Sequence, residues 1–444
     1  MAIVGAGFAG LIAARALAWA GSPVVVLEAR DRVGGRTFDL TLDDGLVLEL
    51  GGQWIGPSQT RVHALIDQLG IATSPTFVDG DELTLFEDRL HRHAGGLPTD
   101  LDPSVTAAIV DAFDALEALA STVPIERPWD TPGADRLDGQ TMADWLDSAI
   151  ADPRARAFVQ AVVETLYVRV AGEVSVLDFL FHARTAGSLA EVIGIEGGAQ
   201  QDRIVGGPQA VAQRLADELG ERVILGAPVR RIVHGEDGVR LETDRGVFEA
   251  GRTIVAVSPM LATRIDFEPP LPPLRDGLGQ RMPHGSVIKV HVVYPRPFWR
   301  AEGLSGISFS TTGAVSFTTD NSAADGSRGV IVGFIEGREA RRLGAASAAA
   351  RQAAAIDSLV RLFGPKAASP DRFVEMDWSA EPWTRGCYSG HMAPGAWTSF
   401  GPALRAACGR IHWAGTETAT WMSGYIDGAI QSGERAAAEV LALR

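Results

Sequence analysis

The N-terminal stretch limits the fold more than any other part of the chain. Residues 2–4 are an apolar run that predicts a short strand, residues 5–10 have the spacing G-x-G-x-x-G, and residues 11–20 predict an apolar helix. A second predicted strand, residues 23–27, ends at Glu28. A strand, a glycine-rich turn, a helix and a second strand with a closing acid are typical of a nucleotide-binding βαβ unit.

The glycines of this turn have separate roles. Gly5 permits the tight turn, Gly7 allows the backbone to approach a pyrophosphate, and Gly10 lets helix and strand pack closely. The helix N-terminus presents free N–H groups to phosphates. Glu28 is placed to accept hydrogen bonds from ribose hydroxyls. A single match to this spacing is weak in a chain with 50 glycines, but the strand, helix and acid around it make it specific.

The residues that follow Glu28 favour FAD over NAD. They read A-R-D-R-V-G-G-R-T and bring Arg30, Arg32 and Arg36 close to Gly35. Three cations and two glycines just after the ribose position suit a longer, doubly charged nucleotide.

Length and charge limit the remaining possibilities. A chain of 444 residues exceeds what one hydrophobic core usually supports, so two domains are expected. The net charge of −15 argues against nucleic acid or an anionic membrane as a partner. The nine histidines are scattered without ligand spacing, which predicts no metal site.

The sequence also predicts a cytoplasmic location. The two cysteines form no disulfide framework, which is typical of a reducing compartment. The N-terminus leads directly into a strand, which predicts no signal peptide. The C-terminal helix is amphipathic with no apolar 20-mer beyond it, which predicts no membrane anchor.

The pattern of elements changes near residue 73. Residues 83–90 predict an edge hairpin, and residues 105–186 predict a mainly helical insertion of the kind that often carries specificity. Strands predicted between residues 202 and 257 return the chain to the nucleotide domain. An alanine-rich stretch predicts a helix over residues 345–363.

Lys289 is an outlier in the middle of an apolar predicted strand, residues 285–292. A buried lysine is expensive unless a group accepts its charge. A lysine that extends from a strand edge towards water is the alternative, and the sequence leaves both open.

Two later segments fit a ring-shaped ligand. Trp378, Trp383, Cys387 and Tyr388 place aromatic rings and a thiol close together, although a lone buried cysteine is more often a small hydrophobe. Residues 411–425 predict a strand and a turn before a helix, which again offers a helix N-terminus to a phosphate or a flavin carbonyl. No Ser-His-Asp order, zinc motif or Walker loop stands out, so a cofactor is expected to carry the redox step.

These segments, with the G-G-Q-W-I-G-P motif at residues 51–57, resemble the flavin-containing monoamine oxidases, as a bacterial, soluble member. The match covers most of the chain and is weakest between residues 79 and 164. The resemblance implies an α/β fold in which a Rossmann-like FAD-binding domain is interleaved with a substrate domain of mixed sheet and helices. The implied FAD-binding domain comprises residues 1–72, 203–279 and 381–444, and the implied substrate domain comprises residues 73–202 and 280–380.

The resemblance also implies roles for single residues. Lys289 matches the lysine that holds a water near flavin N5 and helps reoxidation by oxygen. Tyr388 and Tyr425 match the two tyrosines that enclose the substrate amine. Cys387 matches the cysteine bonded to the flavin 8α-methyl in the mammalian enzymes, but some bacterial relatives lack that bond, so covalent attachment stays open.

The full set of expected site residues is larger. The expected cofactor-binding residues are Gly5, Gly7, Gly10, Glu28, Arg30, Gly35, Arg36, Gly51, Gly52, Gln53, Trp54, Val229, Trp378, Trp383, Cys387, Tyr388, Gly415, Thr416, Glu417 and Tyr425. The expected substrate-pocket residues are Tyr167, Val170, Ile193, Gln200 and Trp421. Trp421 and Met422 replace the histidine and tryptophan of the mammalian pattern.

The implied reaction is oxidation of a small amine with FAD as cofactor and oxygen as second substrate. A neutral amine enters between Tyr388 and Tyr425, and its α-carbon gives a hydride equivalent to flavin N5. The resulting imine hydrolyses to an aldehyde or ketone, and oxygen is reduced to hydrogen peroxide. A homodimer is compatible with the family but is not indicated by the sequence.

Three alternatives stay open. An L-amino-acid oxidase typically has an arginine in a Gly-x-Met-Arg segment, where this chain has Gly52-Gln53-Trp54-Ile55. This difference favours carboxylate-free amines unless Arg169 or another arginine substitutes. A polyamine oxidase could use the acids between residues 79 and 87 for a second ammonium, although an exposed acidic hairpin also explains them. A flavin-bearing scaffold without turnover would have no need of Lys289 and the two tyrosines.

Overall fold

In residues 1–323 and 325–443, which this computed structural model describes, the strands form five sheets. In chain order the strands are β1 (Ala2–Val4), β2 (Val25–Leu27), β3 (Asp39–Thr41), β4 (Val47–Glu49), β5 (Trp54–Ile55), β6 (Thr73–Pro75), β7 (Asp81–Phe86), β8 (Arg89–His93), β9 (Asp202–Ile204), β10 (Val223–Ile224), β11 (Val229–His234), β12 (Val239–Thr243), β13 (Gly246–Ala250), β14 (Thr253–Val255), β15 (Asp266–Glu268), β16 (Val287–Tyr294), β17 (Leu304–Ser310), β18 (Phe317–Asp320), β19 (Gly329–Glu336), β20 (Arg372–Asp377) and β21 (Ile411–Trp413).

The helices lie between and around these sheets. The α-helices are α1 (Phe8–Trp19), α2 (Thr60–Gln68), α3 (Pro103–Ala120), α4 (Ala134–Gly139), α5 (Met142–Ala149), α6 (Pro153–Tyr167), α7 (Val176–Ala186), α8 (Leu189–Ile193), α9 (Pro208–Leu219), α10 (Pro259–Ala262), α11 (Pro273–Gly279), α12 (Gly337–Gly344), α13 (Ala348–Phe363), α14 (Ala396–Phe400) and α15 (Ile426–Leu441). No helix of the described residues is long and apolar enough to cross a bilayer.

The predicted βαβ opening is present as β1, α1 and β2. β1 lies at the centre of a five-stranded parallel sheet with the order β10-β2-β1-β14-β21. Gly5 has φ +99°, and a Cβ on Gly10 would lie 2.0 Å from the Gly5 carbonyl oxygen. A glycine is therefore required at both positions, for the turn and for the helix packing.

A seven-stranded mixed sheet has the order β20-β16-β19-β18-β17-β7-β8. The predicted hairpin is confirmed as β7 and β8, and β8 is the edge strand. β16 pairs with β19 on one side and with β20 on the other, and all eight of its residues are buried. Lys289 in β16 therefore cannot reach water from a strand edge, so that alternative is wrong.

The predicted helical insertion is confirmed as α3 to α7. Its core contains Ile109, Leu116, Val163 and Leu180, each almost fully buried. α5 begins at a capping box in which the Thr141 side chain accepts from the Asp144 N–H and the Asp144 side chain accepts from the Thr141 N–H. These paired bonds satisfy two N–H groups that would otherwise lack partners.

The alanine-rich helix begins at Ala348, later than the predicted start at residue 345. A separate helix, α12, precedes it, and α13 begins at Ala348, where the Ser347 side chain accepts from the Ala350 N–H. A serine N-cap outweighs the helix propensity of the preceding alanines.

The predicted domain boundaries cross a small sheet with the order β5-β9-β6. The boundary at residue 73 coincides with the start of β6, and the boundary at residue 203 lies inside β9. The two predicted domains would thus share this sheet, and the division stays a prediction.

Candidate active site

The turn after β1 is held by Glu28. The Glu28 carboxylate accepts from the Ala6 N–H at 2.7 Å and from the Arg30 N–H at 3.0 Å. α1 begins after Gly7 with no side-chain cap and no acid in its first turn. The first N–H groups of α1 are therefore available to an anion.

Two arginines connect this stretch to the C-terminal part of the chain. Arg30 Nη2 donates to Glu381 Oε2 at 2.6 Å, and its buried Nε has no partner. Arg36 donates to both carboxylate oxygens of Glu417 and, at 3.0 Å, to the Tyr388 carbonyl. Arg36 thus joins the predicted nucleotide site to a predicted catalytic tyrosine.

A large cavity of about 1020 Å³ has in its wall Tyr388, whose carbonyl accepts from Arg36. The predicted site residues that line it are Gly51, Gly52, Gln53, Trp54, Ile193, Gln200, Lys289, Trp378, Cys387, Tyr388 and Tyr425. They come from five separate parts of the sequence. The fold therefore brings the predicted reaction residues and part of the predicted cofactor set to one place.

Three predicted pocket residues are not among those that line this cavity. Tyr167 is fully buried behind His391, with ring centroids 4.2 Å apart, and its hydroxyl donates to the Asp178 carbonyl. Trp421 packs beside Gly187 in a small apolar cluster. Val170 precedes a 3₁₀ turn at Ala171–Glu173.

The remaining predicted cofactor residues lie outside the lining. Val229 packs with residues of the five-stranded sheet, among them Val4 and Leu27. The Trp383 ring lies 5.2 Å from the Arg230 guanidinium carbon. Gly415, Thr416 and Glu417 follow β21 at the carboxyl end of that sheet. The turn region after β1 and β2 contains the others, namely Gly5, Gly7, Gly10, Glu28, Arg30, Gly35 and Arg36.

The Lys289 ammonium is fully enclosed and satisfied by three acceptors. Nζ donates to the carbonyls of Glu49 at 2.6 Å and Gly51 at 2.8 Å, and to Gln53 Oε1. Burial lowers the pKa of Lys289 to about 7, and the Glu49 carboxylate opposes this change. Its charge therefore titrates near neutral pH.

Two of the chain's four tyrosines face the cavity. Tyr388 is 37% exposed, and its hydroxyl donates to Glu336 Oε1 at 2.9 Å. The Tyr425 ring stacks on His182 with centroids 5.7 Å apart. Burial raises the pKa of both phenols, so both rings are neutral. Burial also raises the pKa of Glu336 to about 7.

Cys387 and Trp378 form the wall near Lys289. The Trp378 indole N–H donates to the Leu50 carbonyl at 2.8 Å, just before Gly51. Cys387 is 6% exposed, and burial raises the pKa of its thiol to about 12 although the Arg36 charge opposes this. Cys387 is one of the residues that line the cavity.

The ionisable side chains that carry Asp, Glu, Lys or Arg charges in the cavity wall are mostly acidic. Glu82, Asp114, Glu117 and Glu196 line it, and Lys289 is the one lysine or arginine among its described lining residues. Asp114 and Glu196 are exposed, so they mark its solvent side. The cavity therefore favours cations over anions.

The geometry fits an extended dinucleotide cofactor with a ring system. The free N-terminus of α1 and the close approach of Gly7 and Gly35 form a cradle that a Cβ would narrow. Arg30 Nε and Trp54 Nε1 are buried polar atoms without partners. Buried donors normally have an acceptor, so a bound ligand is the expected partner. The described residues contain no group of His, Cys, Asp and Glu suited to a metal.

Sequence reasoning missed several polar residues of the cavity wall. His182, Ser389 and His391 line the cavity, and Asp178 and Glu336 stand directly behind it. Ser389 and His391 are two positions apart, a spacing that places both on one side of an extended chain. That spacing was the one available signal, because Asp178 is far away in the sequence.

Known proteins resemble this chain over its whole length. A family model described as flavin containing amine oxidoreductase matches residues 8–441. The flavin-containing amine oxidase B of Sus scrofa is 35% identical, covering 99% of this chain and 85% of that protein. An L-amino acid dehydrogenase of Synechocystis is 37% identical, covering 99% and 94%. A structure of putrescine oxidase bound to putrescine has a TM-score of 0.95 at 37% identity, covering 99% and 98%.

Proposed function

The chain belongs to the family of flavin-containing amine oxidoreductases, and on that premise we propose that it is an oxidase of carboxylate-free amines that reacts in the cavity between Lys289, Tyr388 and Tyr425. The predicted amine oxidase fold and the FAD cofactor are confirmed by the family match and the solved neighbours. The roles of single residues and the substrate class are the proposal.

The proposed roles follow from the cavity. When bound, FAD would supply the electron acceptor for amine oxidation and the site at which oxygen is reduced. The N-terminus of α1, with Arg30 and Arg36, would hold its phosphates, and Gly51, Gly52 and Trp378 would face its ring system. Tyr388 and Tyr425 orient the amine, since both rings are neutral and line the cavity. Lys289 supplies a positive charge in a site without bulk water.

The absence of arginine from the described cavity lining supports carboxylate-free substrates. Recognition of an α-carboxylate normally uses a paired arginine. Arg169, the arginine named for this role from the sequence, is buried beside Glu173 at 3.7 Å and is not part of the lining. Four carboxylates would instead repel an amino acid's carboxylate. This is the observation that carries the proposal.

Diamines are the second candidate substrate class. Glu82 lines the cavity and is half-buried, and burial raises its pKa. A carboxylate in this position would pair with a second ammonium. Putrescine oxidase, a diamine-binding neighbour of the same fold, supports including this class in the test.

A peroxide-coupled screen of matched substrate pairs tests the proposal. 2-Phenylethylamine and phenylalanine differ by a carboxylate, and butylamine and putrescine differ by a second amine. We expect turnover of the amines and none of phenylalanine. Turnover of phenylalanine above 2-phenylethylamine would contradict the proposal, and a preference for putrescine that Glu82→Gln removes would establish the diamine class.

Acid precipitation decides whether Cys387 holds the cofactor covalently. A yellow pellet that becomes colourless in Cys387→Ala would establish the bond. A colourless pellet with a yellow supernatant from the unaltered protein would rule it out.

A further inference from the structure

The cavity wall contains a buried Ser–His–Asp series that none of the proposed roles uses. Ser389 Oγ lies 3.1 Å from His391 Nε2, and His391 Nδ1 lies 3.1 Å from Asp178 Oδ2. The three side chains are only 3%, 6% and 4% exposed. Ser389 and His391 line the same cavity as Tyr388 and Tyr425.

The hydrogen bonds to Asp178 determine which atom donates at each step of this Ser–His–Asp series. Asp178 Oδ1 also accepts from the Met392 N–H at 3.1 Å and from the Trp397 indole N–H at 2.9 Å. Because a carboxylate only accepts, His391 Nδ1 must donate to it. In the neutral imidazole, Nε2 then accepts from the Ser389 hydroxyl. The Ser389 oxygen keeps its lone pairs for a donor in the cavity.

We propose that Ser389 and His391 remove the proton from the substrate ammonium before the α-carbon is oxidised, an inference that rests on the proposed function. The ammonium N–H donates to Ser389 Oγ. One N–H bond of the substrate breaks as its proton moves to Oγ, and the original hydroxyl proton moves to His391 Nε2. The products are a neutral amine, an intact serine and an imidazolium paired with Asp178.

The charge of the cavity creates the need for this step. An alkylammonium has a pKa of about 10, as lysine does, so roughly one molecule in a thousand is neutral at pH 7. The four carboxylates of the lining attract the charged majority. Removal of a hydride from a carbon beside a positive nitrogen is unfavourable, so the proton must leave first.

Asp178 is the carboxyl group that His391 contacts, and three titratable rings lie nearby. Burial and, to a smaller extent, the charge of His391 lower the pKa of His182 to about 3. Burial and the Arg36 charge lower the pKa of His284 to about 4. Burial raises the pKa of Tyr167 well above its ordinary value. All three rings are therefore neutral at pH 7.

Nucleophilic attack by Ser389 is the other chemistry that this series could suggest. Such a reaction requires free donors for an oxyanion near the serine. The next three backbone N–H groups are already used: Gly390 donates to Glu417 Oε1, His391 to the Pro283 carbonyl and Met392 to Asp178 Oδ1. The geometry therefore favours proton transfer.

The test compares the limiting rate of anaerobic flavin reduction by saturating 2-phenylethylamine across pH. Ser389→Ala and His391→Gln should lower this rate about a hundredfold at pH 7 and approach the unaltered protein near about pH 10, where the amine is neutral. Ser389→Thr keeps the hydroxyl and should retain the rate. His412→Gln is the matched control, since His412 is a buried histidine with a carboxylate partner outside the cavity lining.

A weakly basic, β-fluorinated 2-phenylethylamine provides a second readout. Its ammonium is much more acidic than that of 2-phenylethylamine, so a far larger fraction is neutral at pH 7. With this amine the rate of Ser389→Ala should therefore lie much closer to that of the unaltered protein. The inference would be overturned if the rate of Ser389→Ala fell by the same factor at every pH and with both amines, or if it did not fall at all. Flavin reduction by no amine in the unaltered protein would instead contradict the proposed function.

A measurement on the unaltered holoprotein makes the test independent of variant folding. With a pH indicator under anaerobic conditions at pH 7, binding of 2-phenylethylamine should release no proton before the flavin is reduced, because His391 keeps it. Release of one proton on binding would mean that only neutral amine enters, and it would overturn the inference.

Discussion

The Arg36 guanidinium donates two hydrogen bonds to the Glu417 carboxylate, at 2.7 and 3.1 Å, across 381 positions of sequence. Glu417 is fully enclosed and also accepts from the Gly390 N–H. Burial opposes ionisation of Glu417, but the charge and hydrogen bonds of Arg36 outweigh it and lower the pKa to about 2. This pair joins the nucleotide turn to the segment that carries Tyr388.

We expect Glu417→Gln to lower the free energy of unfolding by about 3 kcal/mol at pH 7, because it breaks the buried charge pair with Arg36. The folded pKa lies below the unfolded value of 4.5, so the stabilisation is complete above pH 4.5 and is lost as the pH falls towards about 2. The difference between variant and unaltered protein should therefore shrink in that range. Denaturant unfolding of the holoprotein measures it. Glu434→Gln, in a partly exposed ion pair with Arg61, should change little.

Lys289→Met should slow reoxidation of the reduced flavin by oxygen about a hundredfold, because it removes the positive charge from a dry site. Reduction by amine should change much less. In the unaltered protein, reoxidation should slow as the pH rises through about 7, where Lys289 loses its proton. Stopped-flow mixing with oxygen measures both effects.

The chain offers a matched control, since Lys366 is its other lysine. Lys366 is exposed and pairs with Glu302, so Lys366→Met should leave reoxidation unchanged. Equal reoxidation rates in Lys289→Met and the unaltered protein would exclude the proposed role of Lys289.

Tyr388→Leu should lower kcat/KM for 2-phenylethylamine by about fivefold, because it removes an aromatic face worth roughly 1 kcal/mol. Tyr388→Phe keeps the ring and should lose less. It removes the donor to Glu336, so a change in its pH profile near about pH 7 would report that carboxyl. Tyr294→Phe loses a hydroxyl bonded to the Ala367 carbonyl and should leave kcat/KM unchanged. Equal values for the leucine and phenylalanine variants would contradict a role for the ring.

Local patterns predicted the parts of the fold that local interactions determine. The opening βαβ unit and the final helix, α15, agree with prediction because glycine spacing and apolar periodicity mark them directly. Lys289 was recognisable as an outlier, but only the pairing of β16 on both sides shows that it is buried.

The cavity's polar network could not be predicted in the same way. His391 and Asp178 are 213 positions apart, and Glu336 meets Tyr388 across 52 positions. Such pairs depend on how α7, β19 and the segment before α14 pack together, which no local pattern encodes. The resemblance to a family also has a limit. It predicted Tyr167 and Trp421 as pocket residues, but neither lines the cavity.

Anaerobic mixing of the holoprotein with 2-phenylethylamine tests the central claim most directly. The oxidised flavin band near its visible maximum should bleach with the amine, and phenylalanine at the same concentration should leave it unchanged. No bleaching with 2-phenylethylamine or any amine of a broad panel, or faster bleaching with phenylalanine, would contradict an oxidase of carboxylate-free amines.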